Sequence, residues 1–148
     1  MGSTPSIDSK VGKSTIDNMD KYGLVRRNSK GKAKKFKSLT DGKWYDIGKA
    51  DMSHKNGVFE EQLKKMTGAI ESGHLDAVEY WNKKGKYTGP KSDEVRGYMN
   101  NPDIYYLEHS KYNRSDGASL RNNDGSRMTY DEPQISNNGC DSKTRALK

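Results

Sequence analysis

Apolar residues recur along the chain in short patches divided by turn signals, and the spacing inside each patch predicts a small set of elements. Phe36, Leu39, Trp44, Tyr45 and Ile47 flank Asp41-Gly42, a two-residue hairpin signal, and predict a two-stranded ribbon just before His54. Asn56-Gly57 ends that ribbon. Phe59, Leu63, Met66 and Ile70 follow at helical spacing on one face, with Gly73 placed to close the helix. Asp76 can cap a second short helix that buries Val78 and Trp81 and stops near Lys84-Gly85, and Tyr87 to Pro90 reads as a turn. Ser92, with Asp93 and Glu94 in the first turn, opens a third helix carrying Val95 and Met99. Asn101-Pro102 breaks it, and Ile104 to Leu107 reads as a short buried strand or turn.

The margins lack this patterning. Residues 1–16 are small and polar and are expected to lie outside the fold, with a short helix or turn around Asp17–Tyr22. From Ala118 onward periodicity fades, so irregular structure is expected over the domain and a polar, flexible tail over residues 131–148. One domain over residues 17–130 follows. Leu, Ile, Val and Phe fill only 20 of 148 positions, a poverty that nine Tyr, six Met and two Trp offset with aromatic and thioether packing. No apolar run approaches the ~20 residues of a membrane span, and no hydrophobic signal-peptide core follows the N-terminus. A single cysteine, Cys140, excludes an internal disulfide and a Cys-rich zinc site.

Charge narrows the partners. With 27 Lys and Arg against 20 Asp and Glu, the net charge is +7, which favours nucleic acid, an acidic protein or an acidic membrane surface. The same charge would also serve simply to keep a small domain soluble. The densest basic run is RRNSKGKAKKFK, Arg26 to Lys37. Arg26, Arg27, Lys34 and Lys35 are its candidate phosphate contacts, although a solvated loop has the same composition.

Two polar clusters carry the candidate chemistry. WYDIGKADMSHK, Trp44 to Lys55, sets His54 near Asp51 at the end of a strand-like run; YLEHSKYNRSDG, Tyr106 to Gly117, crowds Glu108, His109, Asn113 and Asp116 together. One imidazole to activate water and several oxygen ligands for a divalent cation are what a one-metal phosphodiesterase site requires. Asn113 and Asp116, three residues apart, share one side of a helical turn, and hard ligands of this kind suit Mg²⁺ or Mn²⁺ better than structural zinc. An ordinary helix-ending turn would also read NRSDG. His74 follows Gly73 between helices and reads as a capping or surface group, and His109 as a ligand or a packing residue.

These motifs resemble those of the HNH/endonuclease VII superfamily, whose ββα-metal site has a histidine at the end of its first strand and an asparagine or histidine on the following helix. DMSHK followed by NNPDIYYLEHSKYNRSDG is similar, more closely, to the GH-E branch found in C-terminal toxin domains of bacterial polymorphic secretion systems. There a Gly-His pair is followed, after a helical insert, by Asn-Pro, a tyrosine, a glutamate and an Asn-Arg-Ser segment. The resemblance implies His54 as general base, Glu108 as the motif glutamate and second catalytic residue, Asn113 as a metal ligand, and Asp116 or Asp51 as the accompanying acid. Arg114 would join the nucleic-acid contacts. Ser53 stands where the branch has glycine, and Asp116 where it often has histidine, so the metal and its ligand set stay open.

The resulting expectation is an α+β domain with a small ββα-metal (His-Me finger) core, a helical insert and irregular polar tails. Its implied activity is metal-dependent endonucleolytic cleavage of DNA by an antibacterial toxin domain, with Mg²⁺ as cofactor or else Mn²⁺ or Zn²⁺. An acidic cognate immunity protein would be its partner, a secretion system its route, and the target-cell cytoplasm its place of action. The alternatives are a metal-independent toxin ribonuclease, with His54 or His109 and Glu108 in acid–base roles, and a non-catalytic nucleic-acid or protein-binding module.

Overall fold

The computed structural model describes residues 4–71, 77–113, 131–134, 137–138 and 141–142. The architecture is α+β in two compact units, with mixed helices, two small antiparallel sheets and one parallel pair of two-residue strands among the described residues. Among the described residues no helix is long and apolar enough to cross a membrane.

The first unit, residues 5–74 with 101–120, begins with helix α1 (Lys10–Lys21). This corrects the expectation that residues 1–16 lie outside the fold. The Ser9 hydroxyl caps the helix by accepting from the Gly12 amide at 3.0 Å, and its inward stripe is Gly12, Thr15 and Met19. Two of those three carry no apolar side chain of any size, so hydrophobic periodicity does not reveal the stripe. Asn18 fastens the helix to Asp103, donating to its carboxylate at 3.2 Å.

After Gly23 come β1 (Val25–Arg27), β2 (Ala33–Lys37) and β3 (Trp44–Asp46), an antiparallel sheet with β2 in the centre. The expected ribbon is therefore three-stranded, because the basic run itself folds back as β1 and β2. Asp41-Gly42 makes the β2–β3 turn, with Gly42 at φ 72°, a conformation that favours glycine. Val25, Phe36 and Tyr45 are cross-strand neighbours on one face, and Phe36 is fully buried.

A short 3₁₀ turn leads to β4 (Ala50–His54), which pairs antiparallel with β5 (Tyr105–His109) far along the chain. Helix α2 (Gly57–Thr67) follows β4 directly, capped by the Asn56 side chain at the Phe59 amide. Phe59 and Leu63 are fully buried, and the Phe59 ring lies 4.7 Å from that of Tyr106 on β5. The helix stops at Gly68, left-handed at φ 78°, and not at the expected Gly73, which lies outside the described residues. Ile70, expected on the buried face, is past that stop and 78% exposed.

The second unit holds the helical insert: α3 (Ala77–Tyr80), a π-helical turn at Trp81–Gly85, α4 (Lys86–Thr88) and α5 (Asp93–Met99). Its core is Tyr80, Trp81, Val95 and Met99. The helical run passes through Lys84-Gly85, where a stop was expected, and ends at Gly89 (φ 94°). Gly85 is helical there, and a Cβ on it would lie 2.7 Å from Trp81 Cε3, so glycine serves close packing. Ser92 caps α5 as expected. Asp131 accepts from the Lys86 ammonium at 2.7 Å and ties residues 131–134 to this unit; β6 (Asn137–Asn138) and β7 (Asp141–Ser142) are two-residue strands.

Candidate functional site

The β4–β5 ladder brings the two polar clusters of the sequence together. Its register places Asp51 directly opposite Glu108, and His54 opposite Tyr105. Glu108 is fully buried. A carboxylate in that position needs donors, and it has them: Thr40 Oγ1 donates to Oε2 at 3.0 Å, and the His109 amide to Oε1 at 2.7 Å. Thr40 belongs to the β2–β3 turn, so Glu108 binds the small sheet to the ladder.

Where β5 ends, the chain turns helical over residues 110–113. The first turn aims two side chains back at the strands. Tyr112 Oη donates to Asp41 Oδ2 at 2.9 Å, and Asn113 Nδ2 donates to Asp51 Oδ2 at 3.3 Å. Asp41 also accepts from the Tyr45 hydroxyl and, at 2.8 Å, from the Lys43 amide. Burial alone would raise its pKa, but these hydrogen bonds, with one from Ser38, hold it below the usual carboxylate range. The Asp41 hydrogen bond in turn, followed by burial, raises the Tyr45 phenol well above its ordinary value. Asp41 thus fixes the helix start that presents Asn113.

Asp51, Glu108 and Asn113 are brought together; His54 is not. Strand alternation turns Asp51 and His54 to opposite faces of β4, roughly 10 Å apart at Cα for a three-residue step. The His54 ring packs instead against Tyr105, centroids 4.9 Å apart. His109, cross-strand from Ala50 and next to Glu108, lies at the Asn113 end of the ladder but on the same face as His54, opposite Asp51. Its ring meets Tyr45 edge-on at 4.6 Å, and its Nδ1 accepts from the Lys111 amide at 3.1 Å, which leaves Nε2 to carry the proton of the neutral ring. Asp116, Arg114 and His74 lie outside the described residues.

A divalent cation fits the chemistry of this donor set. The Asp51 carboxylate and Asn113 carboxamide are already within hydrogen-bonding distance, and both are hard oxygen ligands of the type Mg²⁺ prefers. Glu108, with both oxygens engaged, orients the strand beneath them. Among the described residues, His, Cys, Asp and Glu do not converge in groups of three that could hold a metal.

The basic run divides. Arg27 is held by Asp17 and Asp20, each at 2.7 Å, and so is committed to α1. Lys34 is exposed, Lys35 lies 3.1 Å from Asp46, and the Arg26 guanidinium sits 3.9 Å above the Trp44 ring. Sequence reasoning missed the buried Lys55, whose ammonium contacts Glu71, while Tyr22 donates its hydroxyl to the same carboxylate. Burial, then that hydrogen bond, pushes the Tyr22 phenol up to about 12. A lysine directly after the strand-end histidine was the available signal.

The model of a family described as "GH-E: HNH/ENDO VII superfamily nuclease with conserved GHE residues" matches residues 41–119, just over half of the chain. The matched span includes β3, the β4–β5 ladder and Asn113. The chain matches no curated protein and no solved structure.

Proposed function

The chain belongs to the GH-E family of HNH/ENDO VII superfamily nucleases and is a nuclease, and on that premise we propose that it is a metal-dependent DNA endonuclease. The observation that carries the finer reading is the Asn113–Asp51 hydrogen bond at the junction of two strands and a helix. Asn113 and Asp51 would hold the cation, with Asp116 available to join them. When bound, the cation supplies Lewis-acid stabilisation of the scissile phosphate and the leaving oxygen. Glu108 holds β5, and thereby the helix start, in register. His54 would take the proton from the attacking water, the role that the strand-end histidine of the motif implies. For that, its imidazole must come round to the Asp51 side of the strand end.

One observation bears on a second assignment of the base: His109 stands at the Asn113 end of the ladder with Nδ1 accepting from the Lys111 amide, although, like His54, it is on the face opposite Asp51 and must also come round to reach it. With Glu108 as its chain neighbour it also belongs to the rival metal-independent ribonuclease. Incubating the chain with plasmid DNA and with RNA, each in Mg²⁺ and in EDTA, separates these. DNA cleavage in Mg²⁺ that stops in EDTA and in Asn113→Ala supports the proposal; RNA cleavage that persists in EDTA would overturn it.

The same reading makes the chain an antibacterial toxin domain, delivered by a secretion system and acting in the target-cell cytoplasm. Its support is the likeness of DMSHK and NRSDG to toxin-borne GH-E motifs, together with the +7 charge. An acidic immunity protein would be its inhibitor, because charge complementarity both speeds and orients such association. Bacterial growth on expressing the chain alone, and then with a co-encoded acidic neighbour, tests this.

A further inference from the structure

The two faces of the β1–β2–β3 sheet differ in kind. Register and alternation gather Arg26, Lys35, Lys37, Trp44 and Asp46 on one face and Val25, Phe36 and Tyr45 on the other. Phe36 is fully buried and Tyr45 meets His109, so the second face is the inner one. On the outer face the Arg26 guanidinium lies 3.9 Å above the Trp44 indole. Lys35 is the cross-strand partner of Arg26, and Lys37 that of Trp44. The acid on this face, Asp46, lies 3.1 Å from Lys35, with side-chain exposures of 75% and 47%. Water screens so open a pair, and Lys35 exchanges Asp46 for another anion at little cost.

A half-buried tryptophan on the outer face packs no core there, since the core of this sheet is on its other side. Nor do cations alone explain it: phosphates need charge but no indole. An aromatic ring with a guanidinium stacked on it is a flat π surface bordered by lysines, the combination that holds bases by stacking and backbone phosphates by charge. Only an unpaired strand presents free base faces; in a duplex the neighbouring pairs cover them.

We propose that the outer face of this sheet binds an unpaired nucleic-acid strand, with a base stacked on Arg26 and Trp44 and phosphates on Lys35 and Lys37, so that single-stranded or locally opened nucleic acid is the preferred substrate. The use of the strand rests on the nuclease reading, whereas its capture is independent of cleavage and of metal. Trp44 and Tyr45 are consecutive in β3, so the strand that carries the platform outward also presents Tyr45 inward to His109.

The chain supplies its own probe. It has two tryptophans, and Trp81 is buried at 1% exposure, so Trp44 is the one a ligand on this face can reach. Fluorescence is titrated in EDTA with oligothymidylate of about 12 nucleotides, a length within single-strand site sizes, and with a duplex of equal length. The oligothymidylate is expected to quench, in the Trp81→Phe variant as in the parent, and to bind at least about fivefold more tightly than the duplex. By fluorescence anisotropy of a labelled oligonucleotide, Trp44→Ala should bind at least about fivefold more weakly, the scale of losing one stacked base. Lys35→Gln with Lys37→Gln, both surface changes that leave the core intact, should lower the salt slope by about 0.7 per contact. Equal or tighter duplex binding, quenching that resides in Trp81, or an unchanged salt slope in the lysine variant would each overturn the proposal. Plasmid cleavage in Mg²⁺, measured separately, reports on the nuclease reading alone.

Discussion

Asn113 and Asp51, 62 residues apart in sequence, share a hydrogen bond of 3.3 Å at the point where the second strand of the ladder gives way to a helix. A carboxamide donating to a carboxylate is stable by itself, and on the proposed reading it would become a ligand pair if the amide turned its oxygen to a cation held beside Asp51. Metal affinity is thus open to direct measurement. Asn113→Ala and Asp51→Asn should each weaken Mn²⁺ or Mg²⁺ binding by at least about tenfold in calorimetry, with thermal melting still cooperative. Full affinity in both variants would remove these residues from the ligand set.

The identity of the base is decided by two substitutions. His54→Ala is expected to lower cleavage by at least ~10²-fold, the usual scale for losing a general base, while His109→Ala lowers it far less. The reverse order would move the base to His109. Comparable losses in both would point to a shared acid–base pair.

Glu108 is the buried anchor, and Thr40 its partner from another sheet. Thr40→Val keeps the shape and removes the donor, so a buried carboxylate loses one of its two hydrogen bonds. Stability should fall by about 1–3 kcal/mol, read as a lower urea midpoint at unchanged slope. A midpoint within error of the parent would mean that the contact is replaced by water at no cost.

Asp41 predicts an acid limb. Its folded pKa lies below the ordinary 3.8, so its contribution to stability is present above that value and is lost as pH falls through the lower folded one. The parent should lose urea resistance progressively below about pH 4, and Asp41→Asn, which never has the charge, should show a flatter curve there. Parallel curves would contradict the assignment.

Tyr22 predicts the opposite limb. Its pKa is raised from 10.0 to about 12 by burial and by donation to Glu71, so the stabilisation is complete below pH 10 and disappears as pH rises through 12. Ultraviolet titration of the tyrosinates should contain a component near pH 12 that Tyr22→Phe abolishes. Its survival in that variant would assign it to another phenol.

Helix α5 and the Asp41-Gly42 turn were legible because each rests on local signals: a serine cap three residues ahead of Val95, and a glycine where the chain reverses. The pairing of β4 with β5 was not predicted, since no local signal joins residues so far apart; motif likeness linked only the polar residues that the two strands carry. Helix α1 escaped because its buried stripe is glycine, threonine and methionine. The end of α2 was misplaced because Ile70 continues the apolar spacing past Gly68, and nothing local says that the chain has already turned left-handed. For the candidate site, residue types singled out Asp51, Glu108 and Asn113, which the ladder and the helical turn after it bring together. The face on which His54 lies depends on strand register, which composition does not encode.

The separation of the two strands also has a consequence for how the protein is made. Thr40 and Asp51 leave the ribosome early, while Glu108 and Asn113, 68 and 62 residues downstream of them, follow only after the whole helical insert. At about 5–20 residues per second the nascent chain spends several seconds with half a site, and closing so long a loop before any of its contacts form is entropically uphill. On the proposed reading, nuclease competence therefore arises as one late event, when the second strand docks on the first, and a polypeptide interrupted anywhere in the insert would lack the candidate site.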